Sequence, residues 1–380
     1  MIKKCFLKQS SVNLTIIFIV LSIITNNSCN TKHHDIDEKN EITYYNSLKN
    51  AIIASSQDQL SDIVKIENKI QIHGSYIGEI SGISVLQSKQ LVVLDNYLKK
   101  PSAISIFDLT GNFISYVGKY GNKPGEYQIP VQVMASMLNN IYVVDYKTAR
   151  INVFSADGKF NNSFIIPQRF SATRVIEDNK NDLIYICGQK IEKDGSITTV
   201  HKYGLDGKYK GSYLPIPKEE IKRGMDRIAD IFVDIFDGIV YAILPYDYKL
   251  YSINTNGSVT QIIEQDGFPF IKPKDGIPLD ESSDPALAEQ KLSNWYSQWS
   301  PIVNLLVVNH NIILVEYQVF SPLRYAIDIW SIHDKKKLKT VYTNSLLLTK
   351  DSNNMLYFMN NVEKRGQSEY DILQTSLQIQ

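Results

Sequence analysis

Residues 91–118 read LVVLDNYLKKPSAISIFDLTGNFISYVG, and residues 141–166 read IYVVDYKTARINVFSADGKFNNSFII. Each is an apolar run, a short polar stretch, an aromatic strand and then a turn containing Gly. The phrase returns as IYICGQKIEKDGSITTVHKYGLDGKYKGSYL (184–214) and as VYAILPYDYKLYSINTNGSVTQII (240–263). A period of roughly 40–50 residues with several short strands per unit is the mark of a β-propeller.

The second unit shows how one blade is written. Tyr127 to Ala135 supplies an inner strand, Ile141 to Asp145 the next, Thr148 to Phe154 the third and Phe160 to Ile166 the outer one. Asp157-Gly158 joins the last two, because these residues accept the positive φ of a tight hairpin. Thr110-Gly111, Asp206-Gly207 and Asn256-Gly257 stand at the same place in the other units. This spacing predicts blades at about 78–118, 127–166, 170–216, 228–264 and 300–345. A sixth uses 346–377 with a strand donated by 62–73 (DIVKIENKIQIH), because closing a ring from both termini removes its exposed edges. The fold class is therefore all-β: a six-bladed β-propeller of four-stranded antiparallel blades with one short helical insertion.

Bulk composition narrows the partners. The 380 residues include 40 basic and 40 acidic side chains, so no net field draws the protein to nucleic acid. The 23 Tyr and 14 Phe suit half-buried strands. At the N-terminus Lys3, Lys4 and Lys8 precede the apolar run LTIIFIVLSII (14–24), which is short for a membrane span and reads as a signal peptide over 1–28. Ser28-Cys29 resembles a lipobox, which implies lipidation at Cys29; an ordinary secretory cleavage is the alternative. Residues 29–60 read as a lipidated tether and 61–380 as the propeller. Cys187, the one cysteine then left in the ring, is expected as a small buried hydrophobe.

The stretch GKYGNKPGEYQIPVQVMASMLNNIYVVDYKTARINVFSADGKF (118–160) resembles an NHL repeat. Its marks are a Gly-rich turn, Pro, an apolar strand ending in Asp, Arg-Ile-x-Val-Phe and an Asp-Gly turn. The whole chain is similar to the six-bladed NHL- or TolB-like propeller lipoproteins of Gram-negative bacteria. Asp95 and Asp145 match the repeat's aspartate, and Arg150 its arginine. Gly188 and Leu244 stand at the aspartate position in the next two units, so any role of that carboxylate is lost there. The resemblance implies an outer-membrane location, on the periplasmic or the cell-surface side.

Motifs for chemistry are sparse. Gly118 to Gly125 lacks the Lys-Ser/Thr and following helix of a phosphate loop, and reads as an interblade connection. Asp95 and Asp145 could offer oxygens to Ca²⁺, but two carboxylates fall short of its needs and turn-capping is favoured. His73, His201, His310 and His333 occupy unrelated repeat positions, giving no zinc pattern. No catalytic residue, metal or cofactor is assigned.

The repeat breaks over about 265–300. There Phe268-Pro269-Phe270 leads into a Pro-rich loop, then DPALAEQKLSNWYSQW places Leu287, Leu292, Trp295 and Trp299 at near-helical spacing, with Asp284 as a helix cap. Insertions in repeat proteins gather on one face, often the binding face. Trp295, Tyr296, Trp299, Phe268 and Phe270, joined by Arg223 and Arg227 from the irregular stretch 218–230, are thus the candidate ligand-binding residues; the competing reading packs the aromatics against the ring. The expected function is a cell-envelope lipoprotein acting as a binding or scaffolding propeller for a peptide, glycan or partner protein. The alternative is a hydrolase or lyase acting on glycans or peptides at the channel mouth.

Overall fold

The computed structural model describes residues 58–379 apart from 73–77, 96–101, 168–169, 229, 268, 279–284, 320–323 and 365–366. The expected signal peptide, Cys29 and most of the tether lie outside the described residues. Six four-stranded antiparallel sheets form the ring. Blade 1 runs Ile80–Val85, Gln90–Asp95, Ile104–Asp108, Phe113–Tyr116; blade 2 runs Pro130–Ala135, Asn140–Asp145, Arg150–Ser155, Phe160–Ile165. Blade 3 is Phe170–Asp178, Leu183–Ile191, Ile197–Gly204, Tyr209–Pro215; blade 4 is Phe232–Phe236, Ile239–Leu244, Asp247–Ile253, Val259–Glu264. Blade 5 is Ile302–Val307, Ile312–Val319, Arg324–Ser331, Lys336–Thr343.

Blade 6 closes the ring. Leu346–Lys350, Leu356–Lys364 and Gln367–Leu377 are its own, and Val64–Ile72 pairs antiparallel with the last of these from Val64↔Leu377 to Ile72↔Tyr370. The strand expected from 62–73 is thus the outermost strand of the last blade. Pairing the two ends of the chain in one sheet holds the array shut.

Period-2 strands have two faces, and here both are apolar in the middle strands because each blade is sandwiched between two others. Six separate hydrophobic clusters result, one in each seam. Val92, Ile104 and Tyr127 pack between blades 1 and 2; Val144, Ile151 and Ile186 between 2 and 3; Ile176, Cys187 and Val240 between 3 and 4. The ring continues with Tyr248, Tyr317 and Trp330 between 4 and 5, Leu314, Ile329 and Phe358 between 5 and 6, and Ile72, Val93 and Tyr357 between 6 and 1. Cys187 is fully buried, and burial pushes its thiol above the ordinary range.

The recurring hairpin is built on one backbone conformation. Gly111, Gly158, Gly207 and Gly257 have φ of 88°, 81°, 77° and 89°, a region costly for a residue with a Cβ. The inner strand of blade 2 begins at Pro130 rather than at Tyr127. Tyr127 instead belongs to a two-residue parallel pairing, Lys119–Tyr120 with Glu126–Tyr127, inside the Gly-rich connection. It is buried there, and its hydroxyl donates to the Val117 carbonyl at 2.7 Å. Arg150 holds the same connection by donating to the Asn122 carbonyl at 3.0 Å.

Candidate functional site

Antiparallel order puts the outer-to-inner connections of all blades and the second-to-third hairpins on one face of the ring. Asp95 and Asp145 end second strands on that face. Asp95 accepts from the amides of Gly78 and Glu79, both at 2.8 Å. Asp145 accepts from Gln128 and Ile129 at 3.0 and 2.7 Å, and from the Thr148 hydroxyl. Each carboxylate therefore anchors the entry to its own inner strand, the turn-capping role. Among the described residues no group of three His, Cys, Asp or Glu side chains converges as a metal site.

Two connections on this face are knitted into one platform. The first holds α1 (Lys218–Lys222) and a short 3₁₀ turn, Met225–Arg227, where the sequence suggested only irregular chain. The second holds α2 (Pro285–Tyr296), whose first residue is the Pro expected there. Ile277 donates its amide to the Arg223 carbonyl at 3.1 Å, and a Cβ at Gly276 would come within 2.3 Å of that same oxygen. The Arg223 guanidinium pairs with Glu220 at 2.9 Å and donates to the carbonyls of Pro273, Lys274 and Asp275. Under this bracing lies a small second core of Met225, Ile228, Tyr246, Ile277, Leu292, Trp295 and Trp299.

The candidate residues therefore divide. Trp295 and Trp299 are 6% and 4% exposed, with Trp295 Nε1 donating to the Asp275 carbonyl at 3.2 Å, and Tyr296 is half-buried and stacked on Trp299. Arg223 braces the loop, and Arg227 lies half-buried in the 3₁₀ turn. Phe270 leaves the platform altogether: it is fully buried in the seam between blades 4 and 5, against Tyr248 and Tyr317. Phe268 falls outside the described residues. Helical spacing located α2, but a sequence cannot distinguish aromatics that hold a helix down from aromatics that display it.

The inner strands carry polar side chains that the sequence reading missed. Arg174 of blade 3 forms a bidentate pair with Asp230, both bonds 3.0 Å, and lies over the Phe232 ring. Asp234 of blade 4 accepts from Val307 of blade 5 at 2.7 Å and from Lys350 of blade 6 at 2.5 Å. Lys350 also donates to the Val307 carbonyl, so one ion pair clasps three blades. These partners lie far apart in the chain, and no local motif announces them.

A concavity opens on the side of the ring. A groove of about 340 Å³ runs between blades 2 and 3, walled by Tyr142, Ile151, Phe164, Ile184, Ile186 and Tyr203. Ile165 at its mouth is 78% exposed. Lys190 and Tyr209 mark its outer end, the ammonium 4.3 Å from the ring centroid. There Glu192 takes both Lys190 at 3.1 Å and the hydroxyls of Thr198 and Ser212 at 2.7 Å. Ser212 Oγ is also 2.9 Å from His201 Nδ1, and the other ring nitrogen is 3.2 Å from the Gly188 carbonyl. A Ser–His contact invites comparison with a nucleophile and its base. Here, however, His201 is fully buried, and that burial pushes its pKa down to about 4, too weak a base for the task at neutral pH.

The sequence profile described as Domain of unknown function (DUF4934) matches residues 73–375. Among solved structures, the fold is similar to a Bacteroides fragilis protein inferred to be exported, with TM-score 0.55 and 13% identity over 84% of this chain and 97% of that one. It is also similar to a DUF4221 family member from Bacteroides vulgatus, with TM-score 0.56 and 9% identity over 83% and 98% of the two chains. At such identities the likeness concerns the fold. No protein of curated function matches.

Proposed function

We propose, from the premise that the chain belongs to the DUF4934 family, that it is an exported, NHL-like propeller lipoprotein of the cell envelope that binds or scaffolds a peptide, glycan or partner protein. The signal-like N-terminus with Ser28-Cys29 supports the address, as does the structural relative inferred to be exported. The observation that carries the binding role is the platform. The described parts of two long interblade connections are braced by Arg223 and an aromatic core, which lowers the ordering cost that a loose loop would meet on binding. The face is therefore prepared for contact before any partner arrives.

A photo-cross-linking amino acid tests this in membranes. Placed at Leu287, which is 40% exposed on α2, it is expected to trap a partner, whereas at Leu205, on the opposite face, it traps none. No adduct from 287, or equal adducts from both, overturns the reading. In the same cells Cys29→Ala is expected to move the protein from the membrane fraction to the soluble one, and continued anchoring would refute lipidation there.

A further inference from the structure

We propose that the groove between blades 2 and 3 is a binding site for a small organic cation, an amine carried on an apolar body. This site is separate from the platform. Its volume of about 340 Å³ falls at the lower end of small-molecule pockets, and its walls combine aliphatic side chains with the rings of Tyr142, Phe164, Tyr203 and Tyr209.

The charge of the ligand follows from what the polar groups already do. Lys190 is neutralised by Glu192, both oxygens at 3.1 Å, and covered by Tyr209, so it offers little to an anion. Behind the wall the situation is reversed. Glu177 is 7% exposed and lies two residues from the groove residue Val175 on an unbulged stretch of strand, so both side chains leave the same face. Its register partner, Ile184, lines the groove as well. Its Oε1 accepts from the hydroxyl of Tyr142, a wall residue, at 2.9 Å. Burial first, and then Glu177, raise the Tyr142 phenol above its ordinary range, so it remains a donor.

The other oxygen, Oε2, is buried with no hydrogen-bond partner among the described residues. A buried carboxylate oxygen without a donor is costly, and a donor that brings a positive charge relieves it most. Among the described residues Lys190 and Glu192 cancel, and Glu177, directly behind the wall residues Tyr142, Val175 and Ile184, is an acidic side chain with no cation paired to it. The surrounding aromatic faces favour a cation too. An ammonium reaching Glu177, with its apolar body between Ile151, Ile184 and Ile186, satisfies all these groups together.

Calorimetric titration of the full chain with 2-phenylethylamine, 2-phenylethanol and phenylacetate provides the test. The amine is expected to bind at least about tenfold more tightly than the alcohol or the carboxylate. Glu177→Gln is expected to weaken the amine by about tenfold. Ile165→Lys, a change at an exposed position that adds positive charge at the mouth, should weaken it as well while leaving thermal unfolding unchanged. Phenylacetate binding as well as the amine would overturn the proposal, as would an amine indifferent to both substitutions or no binding by any probe.

Discussion

The seam between blades 4 and 5 and the seam between blades 2 and 3 are built from the same repeat but finished differently. In the first, Phe270 arrives from the insertion and meets Tyr248 and Tyr317 edge-on, at centroid distances of 5.1 and 5.7 Å. The buried Asp328 there accepts from Tyr248 at 2.9 Å, from Thr340 at 2.5 Å and from Lys337 at 3.4 Å. Desolvation still raises its pKa, with Lys337 opposing, yet each oxygen has a donor. Among the described residues no such plug enters the second seam, a groove remains, and one oxygen of Glu177 has no partner. The contrast separates aromatics that complete a wall from a wall left open. It also shows the insertion serving two places, as the platform and, through Phe270, as the filling of a seam.

Substitutions in the two seams should therefore behave differently. The largest effect is expected from Phe270→Ala, which empties a closed aromatic cluster and should cost about 3–5 kcal/mol in urea unfolding. Phe164→Ala, on the half-buried groove wall, should cost only about 1 kcal/mol. Similar losses at both positions would erase the distinction between filled and open seams.

Acid is expected to act through the open seam. His201 is fully buried on the side of blade 3 facing blade 2, edge-on to Phe170, and its pKa is about 4 in the folded protein against 6.5 when free. Between those values the unfolded chain takes a proton that the folded one refuses. The stability linked to neutral His201 is therefore complete above about pH 6.5 and is lost as pH falls toward 4, a total of about 3 kcal/mol. His201→Gln should lower stability at pH 7 yet flatten this part of the profile. An unchanged slope between pH 6.5 and 4 in the variant would show that acid acts elsewhere.

The ring was legible in the sequence because its determinants are local. Alternating apolar residues write the strands, the repeated Gly at 111, 158, 207 and 257 writes one hairpin, and 62–73 stood out as a strand without a blade. The capping role of Asp95 and Asp145 was legible for the same reason, since each bonds amides within about 20 residues of itself. The groove was not. Tyr142 meets Glu177 across two blades, and Asp234, Val307 and Lys350 are joined across three, through contacts set by ring closure rather than by any neighbouring motif. Trp295 and Trp299 fall between these cases: their spacing revealed a helix, and only its packing on Met225 and Ile277 revealed which way they turn.

Isoleucine-methyl NMR of the full chain titrated with 2-phenylethylamine compares the seams in one measurement. Saturable shifts are expected at Ile151, Ile165, Ile184 and Ile186 of the open seam, with Ile302 and Ile313 of the filled seam unmoved. Shifts at Ile302 and Ile313 with none at the first four would contradict the account, and so would a titration that moves neither set.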